Sequence, residues 1–151
     1  MAEETPFVVV GLGEVLWDMF PEGKQLGGAP ANFAFHANAL GAQGTVVSCV
    51  GRDPLGREVR EQLQVNGIGV VALIEDPAHP TGSVSVSLDA DGQPSYTIHE
   101  KVAWDFIPFR ADDMKLASQA DAVCFGTLAS RSPHSRESIR RFLNGTMPGC
   151  L

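Results

Sequence analysis

The sequence predicts an α/β fold, a mostly parallel sheet accompanied by a small antiparallel β lid, and three features carry that prediction. Short apolar runs such as Phe7-Val8-Val9-Val10 and Ala122-Val123-Cys124-Phe125 stop at a glycine, as strands buried on both faces do. Helical stretches separate these runs, and strand–helix–strand succession implies right-handed crossovers and parallel pairing. From Gly82 to Leu88, by contrast, polar and apolar residues alternate with period two, as in a sheet with one wet face.

In chain order, the first strand leads to Gly11-Leu12-Gly13. A dinucleotide fingerprint would need a third glycine where Leu16 stands, and no helix follows directly, so an NAD-linked oxidoreductase is disfavoured. The only Gly-Lys pair, Gly23-Lys24, is followed by Gln25, which excludes a phosphate-cradling P-loop. Glu14 to Phe20 runs into the turn Pro21-Glu22-Gly23 and could supply further strands of the lid. Asp18, set among large apolar residues, has two readings: a surface residue of an edge strand, or a carboxylate accepting hydrogen bonds from neighbouring ligand hydroxyls.

Gly27-Gly28-Ala29-Pro30-Ala31-Asn32-Phe33-Ala34 is the densest signal in the chain. Paired glycines let a ligand approach the main chain, and Pro30 suits the first turn of a helix. That helix is expected over 31–40, capped by Gly41, with Phe33, Ala37 and Leu40 as its apolar stripe. Its N-terminus offers free amides and a partly positive end, and Asn32 adds a side chain that both donates and accepts. The combination suits a polyhydroxylated or anionic small molecule. His36 reads as a structural or surface histidine.

A strand over 45–50 follows; Asp53-Pro54 then starts a helix with Asp53 as N-cap, stripe Leu55, Val59 and Leu63, and an end at Asn66-Gly67. Residues 70–74 read as the next strand. Asp89 to Gly92 turns the alternating run back through Ser95 to Glu100. His99-Glu100 fails the H-E-x-x-H pattern, because Ala103 occupies the second histidine's position. A short helix over 112–119, a strand over 122–125 and a helix from Ser132-Pro133 to Leu143 complete the pattern. Pro148 to Leu151 reads as the approach to another strand, which leaves the sheet unfinished and suggests a fragment.

Composition narrows the function. The 151 residues suffice for one domain with a core, and 18 acidic against 11 basic residues give a net charge of −7. Without a basic run, nucleic-acid binding is not expected. No apolar span of about 20 residues is present and Met1–Glu4 shows no leader pattern, so the expectation is a cytoplasmic protein that does not enter a membrane. Cys49 and Cys124 lie in apolar runs and read as buried thiols, as suits a reducing compartment.

These residues resemble the ribokinase-like (PfkB) carbohydrate kinases. The likeness rests on Gly27-Gly28-x-Pro30-x-Asn32-x-Ala34, with Gly41 and Gly51 at the family's spacing. Gly13 to Asp18, Gly51 to Gly56 and Val102-Ala103-Trp104-Asp105 are similar to the bacterial fructokinase branch. The resemblance implies a Rossmann-like αβα domain, the N-terminal part of a ribokinase-like fold spanning 1–151, with lid segments at about 14–26 and 82–103. It implies that Asp18 holds sugar hydroxyls, that Gly27 and Gly28 bring backbone amides to the sugar, and that Asn32 binds another hydroxyl. Tyr96 would cover an apolar face of the sugar and Arg131 would reach a polar edge, though neither occupies a fixed motif position.

Kinases of this type also carry a second motif resembling D-T-x-G-A-G-D, with the catalytic base, an anion hole and ATP nearby. These residues lack it, and Asp105, Asp112, Asp113 and Asp121 are not in that glycine-rich context. The resemblance therefore implies ATP and Mg²⁺ in a full-length enzyme, neither held by this chain alone, and no activity for the chain by itself. The sugar partner that the resemblance implies is fructose or a relative, and the lid's edge could pair with a second copy to give a homodimer. The competing reading is a non-catalytic sugar-binding or regulatory module.

Overall fold

The computed structural model describes residues 5–151, so the reading of Met1–Glu4 lies outside the described residues. The chain runs β1 (Val8–Leu12), β2 (Leu16–Phe20), β3 (Gly23–Gly27), α1 (Ala29–Ala39), β4 (Gln43–Gly51), α2 (Pro54–Val65) and β5 (Leu73–Asp76). It continues through β6 (Ser83–Leu88), β7 (Pro94–Ile98), a 3-10 turn (Ala103–Phe106), α3 (Ala111–Gln119), β8 (Ala122–Phe125) and α4 (Pro133–Asn144). Strands β5, β4, β1 and β8 form one sheet in that order, every pair parallel. The α/β reading holds, and β1, fully apolar at Val9 and Val10, lies in the middle of this sheet as a doubly covered strand must.

The second sheet, in the order β3-β2-β6-β7, corrects the expectation of an antiparallel lid. Its two hairpins are antiparallel, but β2 and β6 join them as a parallel pair. The cause lies at their starts: the Trp17 amide donates to the Gly82 carbonyl at 3.0 Å, so both strands leave the main body side by side in one direction. Trp17 anchors this sheet to α2, its indole N–H donating to the Leu55 carbonyl at 3.1 Å. Lys24 adds an ion pair to Glu58 across the same gap.

Helix α1 also departs from expectation. It buries Pro30, Ala31 and Ala34, while Leu40 is 89% exposed. The helix approaches the sheet so closely that a Cβ on Gly11 would overlap the Pro30 carbonyl, and one on Gly44 would lie 2.6 Å from the Ala34 oxygen. Small residues facing glycines bring backbone to backbone, so the large side chains Phe33 and Leu40 are not the ones inside.

Helix α2 starts as the sequence implies. The Asp53 carboxylate accepts from the Gly56 amide at 2.8 Å, and Val59 and Leu63 face the core. Apolar clusters cover both faces of the main sheet: Val10, Leu12, Trp104, Ile107 and Phe142 on one, Val15, Trp17, Val46, Val50 and Val59 on the other. The segment 148–151 forms no strand, yet Leu151 donates to Asp121 at 2.9 Å and accepts from Val123 at 2.8 Å along the outer edge of β8.

Candidate functional site

The β2–β3 hairpin sets Asp18 directly opposite Gln25, so both side chains stand on one face of the second sheet. Gly27 ends β3, and its bare Cα leaves room for the Asp18 carboxylate, which a Cβ there would displace. At Gly28 the chain turns with φ +108, and the Gly28 carbonyl accepts the Asn32 amide at 2.9 Å as the first bond of α1. Gly28 itself is wedged against Glu14 and Val15, so its lack of a side chain serves the turn.

Between this hairpin and helices α1 and α2 lies a cavity of about 490 Å³ whose lining includes Asp18, Gln25, Gly27, Asn32, His36 and Asn66. The structure thus brings Asp18, Gly27 and Asn32 together around one cavity. Burial pushes the Asp18 carboxyl above its usual range. A carboxylate opposite amide side chains gives directional acceptors and donors suited to a neutral polyol. Neither a lysine nor an arginine lines the cavity, so its residues do not fit a nucleoside triphosphate. Among the described residues, no cluster of three or more His, Cys, Asp and Glu side chains could hold a metal ion.

Tyr96 and Arg131 lie elsewhere. Register places Asp18 beside Val84, and Val86 beside Tyr96, so Tyr96 shares a sheet face with Asp18 but sits two strands across and two residues along, roughly 12 Å away. It is 60% exposed and does not line the cavity. Arg131 lines a second cavity of about 270 Å³ with Glu100, Lys101 and Asp105. Its Nε donates to Asp105 Oδ1 at 2.8 Å, and its Nη2 to Asp105 Oδ2 at 2.9 Å and to the His99 carbonyl at 2.6 Å. The guanidinium also lies 4.1 Å over the Trp104 ring.

Glu14 is the residue that the sequence reading missed. It follows β1 at the crevice where strand order reverses between β4 and β8, the customary ligand position in open α/β sheets. It is only 4% exposed, and its Oε2 has no hydrogen-bond partner. Burial raises its pKa, opposed by its own backbone amide, those of Ala29 and Ala129, and the charge of Arg131. An acidic residue immediately before Val15-Leu16-Trp17 was the available signal. His36, read as structural or surface, is exposed and lines the main cavity. The three cysteines are free, and burial followed by the nearby Asp76 charge pushes the Cys49 thiol up to about 12, which leaves it inert. No helix among the described residues is long and apolar enough to cross a membrane.

A family model described as pfkB family carbohydrate kinase matches residues 14–143. The chain is 35% identical over 140 residues to a fructokinase of Salmonella typhimurium, covering 85% of this chain and 46% of that protein. It is similar to the solved structure of the fructokinase from Vibrio cholerae O395 in apo form, with a TM-score of 0.82 and 27% identity, over 93% of this chain and 50% of that one. A Pyrococcus horikoshii sugar kinase solved in complex with ATP matches with a TM-score of 0.77 and 26% identity, over 91% of this chain and 49% of that one. The chain spans about half the length of the curated relatives it matches.

Proposed function

The chain belongs to the PfkB family of carbohydrate kinases, and from that premise we propose that it is the sugar-binding half of an ATP-dependent, fructokinase-like kinase. One observation carries this reading: Asp18, Gly27 and Asn32 converge on a single cavity whose lining holds one carboxylate, several amides and no strong cation. Asp18 accepts from two sugar hydroxyls, Asn32 binds another, and Gly27 lets the ring approach the main chain, while Gly28 makes the turn that sets Gly27 and Asn32 in place. Tyr96, on the same sheet face as Asp18, covers the ring when the second sheet, formed by the segments 14–26 and 82–103, closes as a lid over the cavity.

ATP with Mg²⁺ supplies the transferable γ-phosphoryl group, and phosphoryl transfer depends mainly on positioning and charge stabilisation around that group. In this reading the nucleotide-holding residues and the base lie outside these 151 residues. The share of the relatives' length covered and the cation-poor cavity support that assignment. The reading includes residence in the cytoplasm, consistent with three free thiols. It also includes a homodimer through the exposed outer strand β7, whose edge is unpaired in the second sheet.

The test is thermal stabilisation of the purified chain by fructose, ribose and 2-keto-3-deoxygluconate, with an ATP-dependent phosphorylation assay alongside. Stabilisation by fructose without phosphorylation is expected. No shift with any of the sugars would remove the sugar site, and phosphorylation by the chain alone would overturn its assignment as half of an enzyme.

A further inference from the structure

The second sheet joins the main body at four chain crossings, and they gather at one place. The chain enters at Glu14–Val15, leaves at Gly27–Gly28, enters again at Gly82 and leaves at His99–Val102. Gly28 packs against Glu14 and Val15, and a Cβ on Gly82 would overlap the Trp104 indole and lie 3.3 Å from the Val15 carbonyl. Trp104 is fully buried there with its indole N–H unpartnered, held by shape.

The fourth crossing is fastened by charge. Arg131 grips both Asp105 oxygens and the His99 carbonyl while lying over Trp104. Asp105, 5% exposed, also accepts the Val102 amide at 3.2 Å, and its carbonyl accepts the Ser132 hydroxyl at 2.5 Å. Ser135 of α4 then bonds the Trp104 carbonyl at 2.8 Å. Between these fixed points Lys101 adopts φ +56, the only positive φ at a non-glycine residue among the described residues. Both ends of the β6–β7 hairpin therefore rest on one knot, Trp104–Asp105–Arg131, anchored to α4.

We propose that Arg131 and Asp105 are positioning residues: they fix the root of the second sheet and so hold Asp18 over Gly27 and Asn32 in the cavity. The inference rests on the sugar-site reading for what the cavity holds, but its mechanical half stands on the knot alone. Asp18 lies only two residues beyond Leu16, where β2 starts beside the Gly82 crossing. Play at the root is therefore transmitted directly to the carboxylate.

The test compares wild type, Arg131→Met, Asp105→Asn and the double variant by amide hydrogen exchange resolved along the chain, and by fructose titration. Each single substitution should speed exchange in 83–101 by about tenfold or more, leave β1 and β4 unchanged, and weaken fructose binding by about tenfold. The double variant should be no worse than the poorer single one, because both break the same knot. Unchanged exchange in 83–101 would overturn the proposal, as would exchange rising equally through β1 and β4. A loosened 83–101 with undiminished fructose affinity would also overturn it. Failure of fructose to bind the wild type would fall on the sugar reading instead, and exchange would still decide whether the knot holds the sheet.

Discussion

The carboxylate of Asp18 lies against the bare α-carbon of Gly27, across the β2–β3 hairpin, in space that any side chain at position 27 would take. The same glycine lines the cavity that Asn32 enters from the first turn of α1. In the proposed reading, its bare α-carbon admits both the carboxylate and a sugar.

Gly27→Ala is accordingly expected to act through Asp18. The backbone at Gly27 is outside the left-handed region that penalises alanine, so the added methyl mainly displaces Oδ2. Unfolding stability should change by about 1 kcal/mol or less, while affinity for fructose drops about tenfold or more in calorimetric titration. Full affinity in this variant would show that the carboxylate's position does not matter.

Glu14 makes a prediction about pH. Burial raises its pKa in the folded chain, so between the unfolded value of 4.5 and the folded one the native state retains a proton that the unfolded chain has lost. Stability therefore declines as pH rises through that window. Glu14→Gln removes the decline: urea unfolding should find the variant more stable than wild type at pH 7, with the two converging below about pH 4. A variant less stable at pH 7, with an unchanged pH profile, would contradict the burial account.

Asp53 makes the opposite one. Burial by itself would raise its carboxyl, but the Thr81 hydroxyl and amide, the Gly56 amide and the Arg57 charge outweigh it and hold the pKa below the usual value. That stability is present above the unfolded pKa near 3.8 and is lost as pH falls through the folded one. Asp53→Ala should cost about 0.5–2 kcal/mol at neutral pH, as loss of an N-cap does, and flatten the acid limb of the stability curve. Urea unfolding from pH 7 down to pH 2 checks both effects.

What the sequence made legible follows the range of the interactions. The α2 start could be read from Asp53-Pro54 because a cap acts over three residues. The Gly27–Asn32 turn was equally readable, being local backbone geometry. The Arg131–Asp105 pair spans 26 residues, and no pattern in the chain ties its two ends. Parallel pairing of β2 with β6 was hidden for the same reason, being decided by the Trp17–Gly82 bond. The stripe on α1 was misread because periodicity favours large side chains, whereas the glycines of the neighbouring strands select small ones.

If Asp18 and Asn32 serve one bound polyol, fructose titration into wild type, Asp18→Ala, Asn32→Ala and the double variant reveals it. Each single variant is expected to lose about tenfold or more in affinity, with circular dichroism unchanged and no measurable binding by the double variant. Wild-type affinity in Asp18→Ala, with the fold intact, would contradict it.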